Sequence, residues 1–231
     1  MVSSSPRPFV DGDLAARCAL GVVELFQAGQ TLTQIQAAAS SAWQWAAYCL
    51  ELIEQASPGL QPLACRDGCD FCCYNQVELT GPEAIALGAF LTERLAGPER
   101  RLLTERLARS LARRAGQTKA QLAARRAHLP CPLLAGGSCL AYEVRPLMCR
   151  AMHSLEAEAC RRELADPSLN VVEFYSHRHT IHVSLSQGLI DGCLALGYQA
   201  GPLDLPRSLV DYWAAPDLTA RWLAGEKVFG G

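Results

Sequence analysis

The chain has almost no lysine: of 21 basic residues, Lys119 and Lys227 are the only two, and the other 19 are arginines. Coding bias in a GC-rich genome accounts for that ratio without a functional cause, and makes a bacterial origin the expectation. Long apolar runs are missing too. The longest, about Ala84 to Leu91, is far below the roughly 20 residues a membrane-spanning helix needs, so no membrane is expected as a partner. Neither Gly-x-Ser-x-Gly nor a Walker-type loop occurs, and no Gly-x-Gly-x-x-Gly follows a strand. Nucleophile-elbow hydrolases, P-loop enzymes and Rossmann dinucleotide binders are thereby set aside. Residues 1–13 show no apolar stretch after a basic start, so a cytoplasmic, reducing setting is expected. A formal net charge of −2 excludes a dedicated polyanion binder.

Half of the 231 residues are hydrophobic and 19% are charged, which is enough apolar material for a core without disulfide staples. Strand patterns are weak, and apolar residues recur at helical spacing in most segments. Expected helices run over 13–28 (Leu14, Leu20, Val23 and Phe26 inward; Asp11 or Asp13 as cap) and from Thr31 or Thr33 to Gln55. Another is opened by Thr80-Gly81-Pro82-Glu83 and runs to about Ala96. A fourth runs from Glu99 to about Ala127, broken at Gly116, with Leu102, Leu103, Leu107 and Leu111 on one face. Further helices are expected over Asn170 to Gly188, near 205–214, and from Asp217 to Ala224. The fold class is therefore mainly α: helices around an irregular cysteine-rich centre, with little or no sheet. Three parts are expected: an N-terminal helical hairpin over 1–60, a cysteine-cluster core over 61–165, and a C-terminal helical segment over 166–231.

Residues 93–126 hold ten Lys or Arg against three Glu, a local +7 that leaves −9 for the remainder. No aromatic residue interleaves those charges for base stacking, so a solvated helix face is expected there and nucleic acid is not.

Cysteine is what the chain has in excess. There are eleven, eight of them between Cys65 and Cys160, and four within nine residues. In a reducing compartment such clustering points to metal ligands or reactive thiols before disulfides. The first set is Cys65-x3-Cys69-x2-Cys72-Cys73 and the second is Cys131-x7-Cys139-x9-Cys149-x10-Cys160. A Cys-x2-Cys turn can bring two sulfurs to one ion. Adjacent side chains diverge, so Cys72 and Cys73 suit two neighbouring metals or one polynuclear cluster. Eight thiolates divide into two four-thiolate sites, or one cluster plus one zinc. Two Zn²⁺ or two [4Fe–4S]²⁺ clusters would each leave −4, which calls for nearby cations. Arg66, Arg145, Arg150, Arg161 and Arg162 adjoin the cysteines. Arg145 precedes Pro146 and is biased to extended backbone before Cys149. Tyr142 could donate to sulfur or act as an acid. Cys160 is expected to complete the second site, with His153 as its alternative. His177-x-His179-x2-His182 is read as partly buried helix positions, because His177 lies off the face of the other two. Cys18, Cys49 and Cys193, inside expected helices, are read as core.

Cys65-x3-Cys69-x2-Cys72-Cys73 followed by Val77 and Leu79-Thr80 resembles the signature of the YkgJ-type cysteine-cluster family. So does Cys131-Pro132-Leu133-Leu134, then Cys139-x2-Tyr142-Glu143-x-Arg145-Pro146-x2-Cys149-Arg150. That family is described as zinc- or iron-chelating and includes flagellin lysine N-methylase. The resemblance covers about residues 63–160. It implies an iron–sulfur cluster or zinc on the eight cysteines, with Arg66, Tyr142, Arg145 and Arg150 around them. It further implies a modifying enzyme acting on a protein or small molecule, with methyl transfer from S-adenosylmethionine as one form. The other readings are a non-enzymatic structural zinc module that binds a partner, and a carrier of a soft ion such as Cu(I).

Overall fold

The computed structural model describes residues 9–66 and 68–230. Residues 1–8 of the expected N-terminal hairpin lie outside them. Ten α-helices account for most of the described residues: α1 (Gly12–Gln27), α2 (Leu32–Gln55), α3 (Gly81–Arg94), α4 (Gly97–Arg114), α5 (Lys119–Ala124), α6 (Leu147–Ala151), α7 (Ala157–Ala165), α8 (Ser176–Ala195), α9 (Leu205–Ala214) and α10 (Leu218–Leu223). Two pairs of very short strands complete it: β1 (Glu78–Leu79) with β4 (Leu203–Asp204), and β2 (Leu134–Ala135) with β3 (Ser138–Cys139), both antiparallel. The fold is mainly α. No helix among the described residues is long and apolar enough to cross a membrane.

The caps fix where the first helices start. The Asp11 carboxylate accepts the N–H groups of Asp13 and Leu14, satisfying two donors that the first turn of α1 would leave bare. Thr80 and Glu83 form a reciprocal capping box at α3. The inward face of α1 is Ala15, Cys18, Val22 and Phe26, while the expected Leu20 is 64% exposed. This shift follows from what α1 packs against. Its partner is α8, where Gly188 and Gly192 lie one turn apart. A Cβ on Gly188 would stand 2.5 Å from the Ala15 carbonyl oxygen, and one on Gly192 would stand 2.7 Å from the Val22 Cβ. Two missing side chains therefore set how closely the backbones approach, and only small residues of α1 fit that seam.

Three other expectations are corrected. On α4, Leu103 and Leu107 are buried, but Leu102 is 56% exposed because it points away from α9. The helix expected over Asn170 to Gly188 starts only at Ser176 and runs to Ala195. Val171, Phe174 and Tyr175 are extended, since their stretch is held by side chains instead of helical carbonyls. The Glu163 carboxylate takes the N–H groups of Val171 and Val172, and His153 takes that of Tyr175. Finally, Ala157–Ala165, outside every expected helix, is a helix.

The body built by α1, α2, α3, α8 and α9 leaves the cysteine segments along one side. Residues 60–77 connect α2 to α3, residues 125–146 connect α5 to α6, and α7 brings Cys160 back to the first of these. Cys18 and Cys193 are buried between α1 and α8, and Cys49 is half-buried against the same core.

Candidate metal centre

Backbone hydrogen bonds bring the cysteine segments together. The Cys131 N–H donates to the Cys73 carbonyl at 2.7 Å, stitching the second segment onto the first. The Ala64 N–H donates to the Ser154 carbonyl at 3.0 Å, bringing residues 152–156 and the start of α7 beside Cys65. Gly136 and Gly137, both at positive φ, turn the β2–β3 hairpin that sets Cys139 opposite Leu134.

By their electrostatic influence on one another the eight thiols fall into two overlapping sets that share Cys72. The outer group is Cys65, Cys69 and Cys160 with Cys72: the Cys65 thiol is affected by the charges of the other three, and Cys160 by those of Cys69 and Cys72. The deep group is Cys73, Cys131, Cys139 and Cys149. Cys73 interacts with Cys72, Cys131 and Cys139, and Cys149 with Cys131, Cys139 and Cys72. The grouping crosses the two sequence sets: Cys73 joins the second set, and Cys160 joins the first.

Several sulfurs already receive backbone donors. The Cys131 thiol accepts from the N–H groups of Leu133 and Leu134, Cys139 from that of Ala141, and Cys65 from that of Ser154. The Ser154 hydroxyl reaches Cys160. Such donors favour the thiolate, the form that ligates metal. Burial works against them: it pushes Cys131 up to about 11 and Cys149 well above the ordinary thiol range. Cys72 differs. A hydrogen bond from Cys73, aided by the nearby Arg145 guanidinium, lowers its pKa despite burial, so it is the first of the pair to ionise.

The cations sit differently from expectation. Arg145 stacks over the Tyr142 ring at 3.8 Å and lowers the pKa of both Cys72 and Cys139; its buried Nε has no hydrogen-bond partner. Arg150 is turned to the backbone: Nε donates to the Arg145 carbonyl at 2.8 Å and Nη2 to the Glu143 carbonyl at 2.6 Å, with the guanidinium 5.1 Å from the Trp43 ring. It holds the 143–145 turn, and its charge also lies near the Cys149 thiol. Arg66 is exposed and contributes its carbonyl to the Cys69 N–H. Arg161 pairs with Glu158 on the surface. Arg106 of α4, not anticipated from the motif, lies beside Cys131 and favours its thiolate. It is about 25 residues away in sequence, and nothing in the spacing marks it.

Three further residues were not legible as parts of the site. Glu83 is fully buried, and its carboxylate accepts the Leu147 N–H at 2.7 Å and the Trp43 indole N–H at 3.3 Å, besides Thr80. It fixes the start of α6, two residues before Cys149. Arg126 donates to Asn75, after the first cysteine set, and to Glu163 of α7. Ser154 serves both outer-group edges, as above. His153 has both ring nitrogens engaged: Nδ1–H donates to the Ala151 carbonyl at 2.8 Å, and Nε2 accepts from the Tyr175 N–H at 2.9 Å. It offers no lone pair to a metal in this arrangement. His182 is buried on α8, with Nδ1 on the Arg178 carbonyl, and His177 stacks on Tyr175.

Among the described residues, no three His, Cys, Asp or Glu side chains already stand around one point as a metal-holding group. Closing the thiols on an ion requires Cys73 to give up its bond to Cys72. The donor set itself fits a thiophilic ion: eight thiols, backbone N–H groups on three of them, and the orphaned Arg145 Nε beside Cys72 and Cys139.

Residues 64–166 match the family model CxxCxxCC, described as a putative zinc- or iron-chelating domain. Over this segment, a little under half of the chain, the protein is similar to that family. The matched segment opens one residue before Cys65 and closes after Cys160, so it encloses all eight thiols and α7. Its clamps reach outside it. Arg106 and Arg126 come from helices within the segment, whereas Tyr175, which fixes His153, and Trp43, which meets Arg150 and Glu83, come from α8's approach and α2. No curated protein and no solved structure gives a significant match to the chain.

Proposed function

We propose that this protein is a metalloprotein that holds zinc or iron in two thiolate centres. The deep centre takes Cys73, Cys131, Cys139 and Cys149, and the outer one Cys65, Cys69, Cys72 and Cys160. One observation carries the reading: the Cys131 N–H bond to the Cys73 carbonyl and the Ala64 N–H bond to the Ser154 carbonyl draw chain segments separated by up to about 90 residues together, so that the thiols of both sequence sets lie side by side. Four thiolates around each ion satisfy zinc, and four also satisfy an iron–sulfur cluster. When bound, zinc would brace the loops, while an iron–sulfur cluster would add redox chemistry.

The two centres have different roles in this proposal. The deep one ties α4's neighbourhood to α6 and is structural. The outer one ends at Cys65, the one exposed thiol of the eight, and is where a protein or small-molecule substrate would be worked on. The methylase in the resembling family bears on the cysteine cluster alone, so methyl transfer is left out of the proposal.

Protein purified without oxygen tests it by metal and acid-labile sulfide analysis. Zinc with no sulfide and no colour supports a zinc form, and iron with sulfide and blue-end absorbance supports a cluster form. Cys65→Ser should lose about half the metal with the fold intact, whereas Cys139→Ser should lose the deep centre and thermal stability together. Full metal content in Cys139→Ser would refute the two-centre reading. Metal that exchanges freely from both centres without loss of fold would turn it into a carrier.

A further inference from the structure

A cleft of about 130 Å³ lies between α4 and the segment that carries Cys131. One wall is the α4 face holding Arg106, Arg109, Ser110 and Arg113, at i, i+3, i+4 and i+7, so all four share one side of the helix. The other wall is Pro130-Cys131-Pro132 with its flanking leucines. The prolines have no N–H, and that of Cys131 is committed to the Cys73 carbonyl. The hydrogen-bond donors of the cleft are thus supplied chiefly by α4, and three of its four polar side chains are guanidiniums.

Arg106 donates from Nη2 to the Leu134 carbonyl on the facing wall and lies beside Cys131, but the three guanidiniums have few carboxylate partners. Among the described residues, no carboxylate lies within ion-pair distance of Arg106 or Arg113, and Arg109 has only Glu105, at 3.6 Å with both side chains more than half exposed. An exposed pair of that kind contributes little and leaves Arg109 free to turn. Arg106 and Arg109, neighbours on the same wall, repel one another. Holding three like charges together costs free energy that a bound anion would recover, and guanidiniums suit planar or tetrahedral oxyanions through paired N–H groups. The volume matches. About 130 Å³ admits a phosphate-sized group and is well short of the roughly 300 Å³ of a drug-sized site. No aromatic residue lines it, so it lacks the stacking surface that would hold a nucleic-acid strand.

We propose that this cleft binds a small oxyanion, a phosphate or carboxylate group, on Arg106, Arg109 and Arg113 beside Cys131. The assignment stands on the cleft itself and does not depend on which metal the cysteines hold. Where the two-centre reading also holds, the anion sits against the deep centre and is a substrate group or an effector sensed there.

The test uses the full chain as purified, titrated by calorimetry with inorganic phosphate and separately with succinate, chloride matching the ionic strength. Saturable binding of phosphate assigns a phosphate site, and saturable binding of succinate alone assigns a carboxylate site; either supports the proposal. Arg109→Gln and Arg113→Gln should each weaken the bound ion about tenfold, the scale of one charge-assisted hydrogen bond. Arg101→Gln, exposed on the opposite face of α4, should change it less than about twofold. Metal content is measured on every variant and should not move, which separates a failure here from a failure of the metal reading. Two results would overturn the proposal: no saturable binding of either ion, or affinity unchanged in both cleft variants. Tight, steeply salt-dependent binding of a short oligonucleotide, with neither ion competing, would overturn it as well.

Discussion

Glu83 offers the sharpest test of how the helical body positions the thiols. It is completely buried, and its two oxygens accept four hydrogen bonds: from the Thr80 N–H at 2.9 Å, the Thr80 hydroxyl at 3.0 Å, the Trp43 indole at 3.3 Å and the Leu147 N–H at 2.7 Å. A buried carboxylate is tolerated only when so served. In Glu83→Gln one oxygen becomes an NH2. The least costly arrangement turns that NH2 toward Thr80, whose hydroxyl can rotate to accept, leaving the Thr80 N–H alone without an acceptor. One lost charge-assisted bond with one stranded buried donor costs about 2–3 kcal/mol. For a chain of this length that lowers Tm by about 5–10 °C.

Glu83→Ala strands the Thr80 and Leu147 N–H groups and the indole together. Water entering the space recovers part of the loss, so the cost is about 3–5 kcal/mol. The two variants should also part on metal. With glutamine, the Leu147 N–H keeps its acceptor, α6 starts where it should, and the deep centre stays full. With alanine, α6 loses its anchor and Cys149 its placement, so deep-centre metal falls while the outer centre persists. Urea unfolding and metal analysis on the same preparations read both. If Glu83→Gln unfolds within about 0.5 kcal/mol of the parent, the carboxylate is not holding α3, α2 and α6 together, and the argument fails.

Cys18→Ala should keep all of its metal, because Cys18 lies between α1 and α8 with its thiol pushed up to about 12 by burial and its S–H on the Leu185 carbonyl; metal analysis checks it. Gly188→Ala should destabilise by more than about 2 kcal/mol in urea, since the new Cβ meets the Ala15 carbonyl at 2.5 Å and neither backbone can yield alone. Burial lowers His182 from 6.5 to about 4, so between those values the unfolded chain binds a proton that the folded chain does not. Its contribution is therefore intact above pH 6.5 and is lost as pH falls toward 4, by up to about 3 kcal/mol. His182→Gln should flatten that part of the stability–pH curve, and an unchanged slope would count against the assignment.

Where the sequence carried a local physical signal, the fold followed it. Asp11 and the Thr80–Glu83 box cap helices within a residue or two of where their chemistry placed them, because capping depends on the few residues in reach. Gly116, at φ +71, breaks the basic stretch for the same local reason. The misreadings came from non-local partners. Val171, Phe174 and Tyr175 have helical spacing, yet their amides go to Glu163 and His153, which no periodicity encodes. α7 went unread because only Ala159 is buried along it, and one alanine makes no apolar stripe. Leu20 was assigned inward on hydrophobicity alone. The α8 glycines decide that face, and their effect appears only when the two helices are set side by side.

The candidate site divides along the same line. Spacing marked out eight cysteines of eleven as one constellation, whereas the divergence expected of the adjacent Cys72 and Cys73 is not what the structure has, since Cys73 donates to Cys72. Which thiol joins which group was beyond spacing, since the answer lies in two backbone bonds. Cys131 N–H to Cys73 O draws Cys73 toward the second segment, and Ala64 N–H to Ser154 O draws α7 and Cys160 toward the first. Charge was misassigned by the same reasoning from proximity in sequence. Of the arginines next to cysteines, Arg161 pairs with Glu158 on the surface, while Arg150 spends its N–H groups on the Arg145 and Glu143 carbonyls and keeps its charge near Cys149. The cation beside Cys131 comes from α4, across the cleft, because a guanidinium reaches a thiol best from an element packed opposite it. Arg106 therefore links the two proposals physically. Its charge favours the Cys131 thiolate, and an oxyanion entering the cleft would compete for that charge and make Cys131 harder to ionise. Phosphate should consequently slow metal uptake by the metal-free chain, and in Arg113→Gln, where the anion binds more weakly, the same slowing should require about tenfold more phosphate.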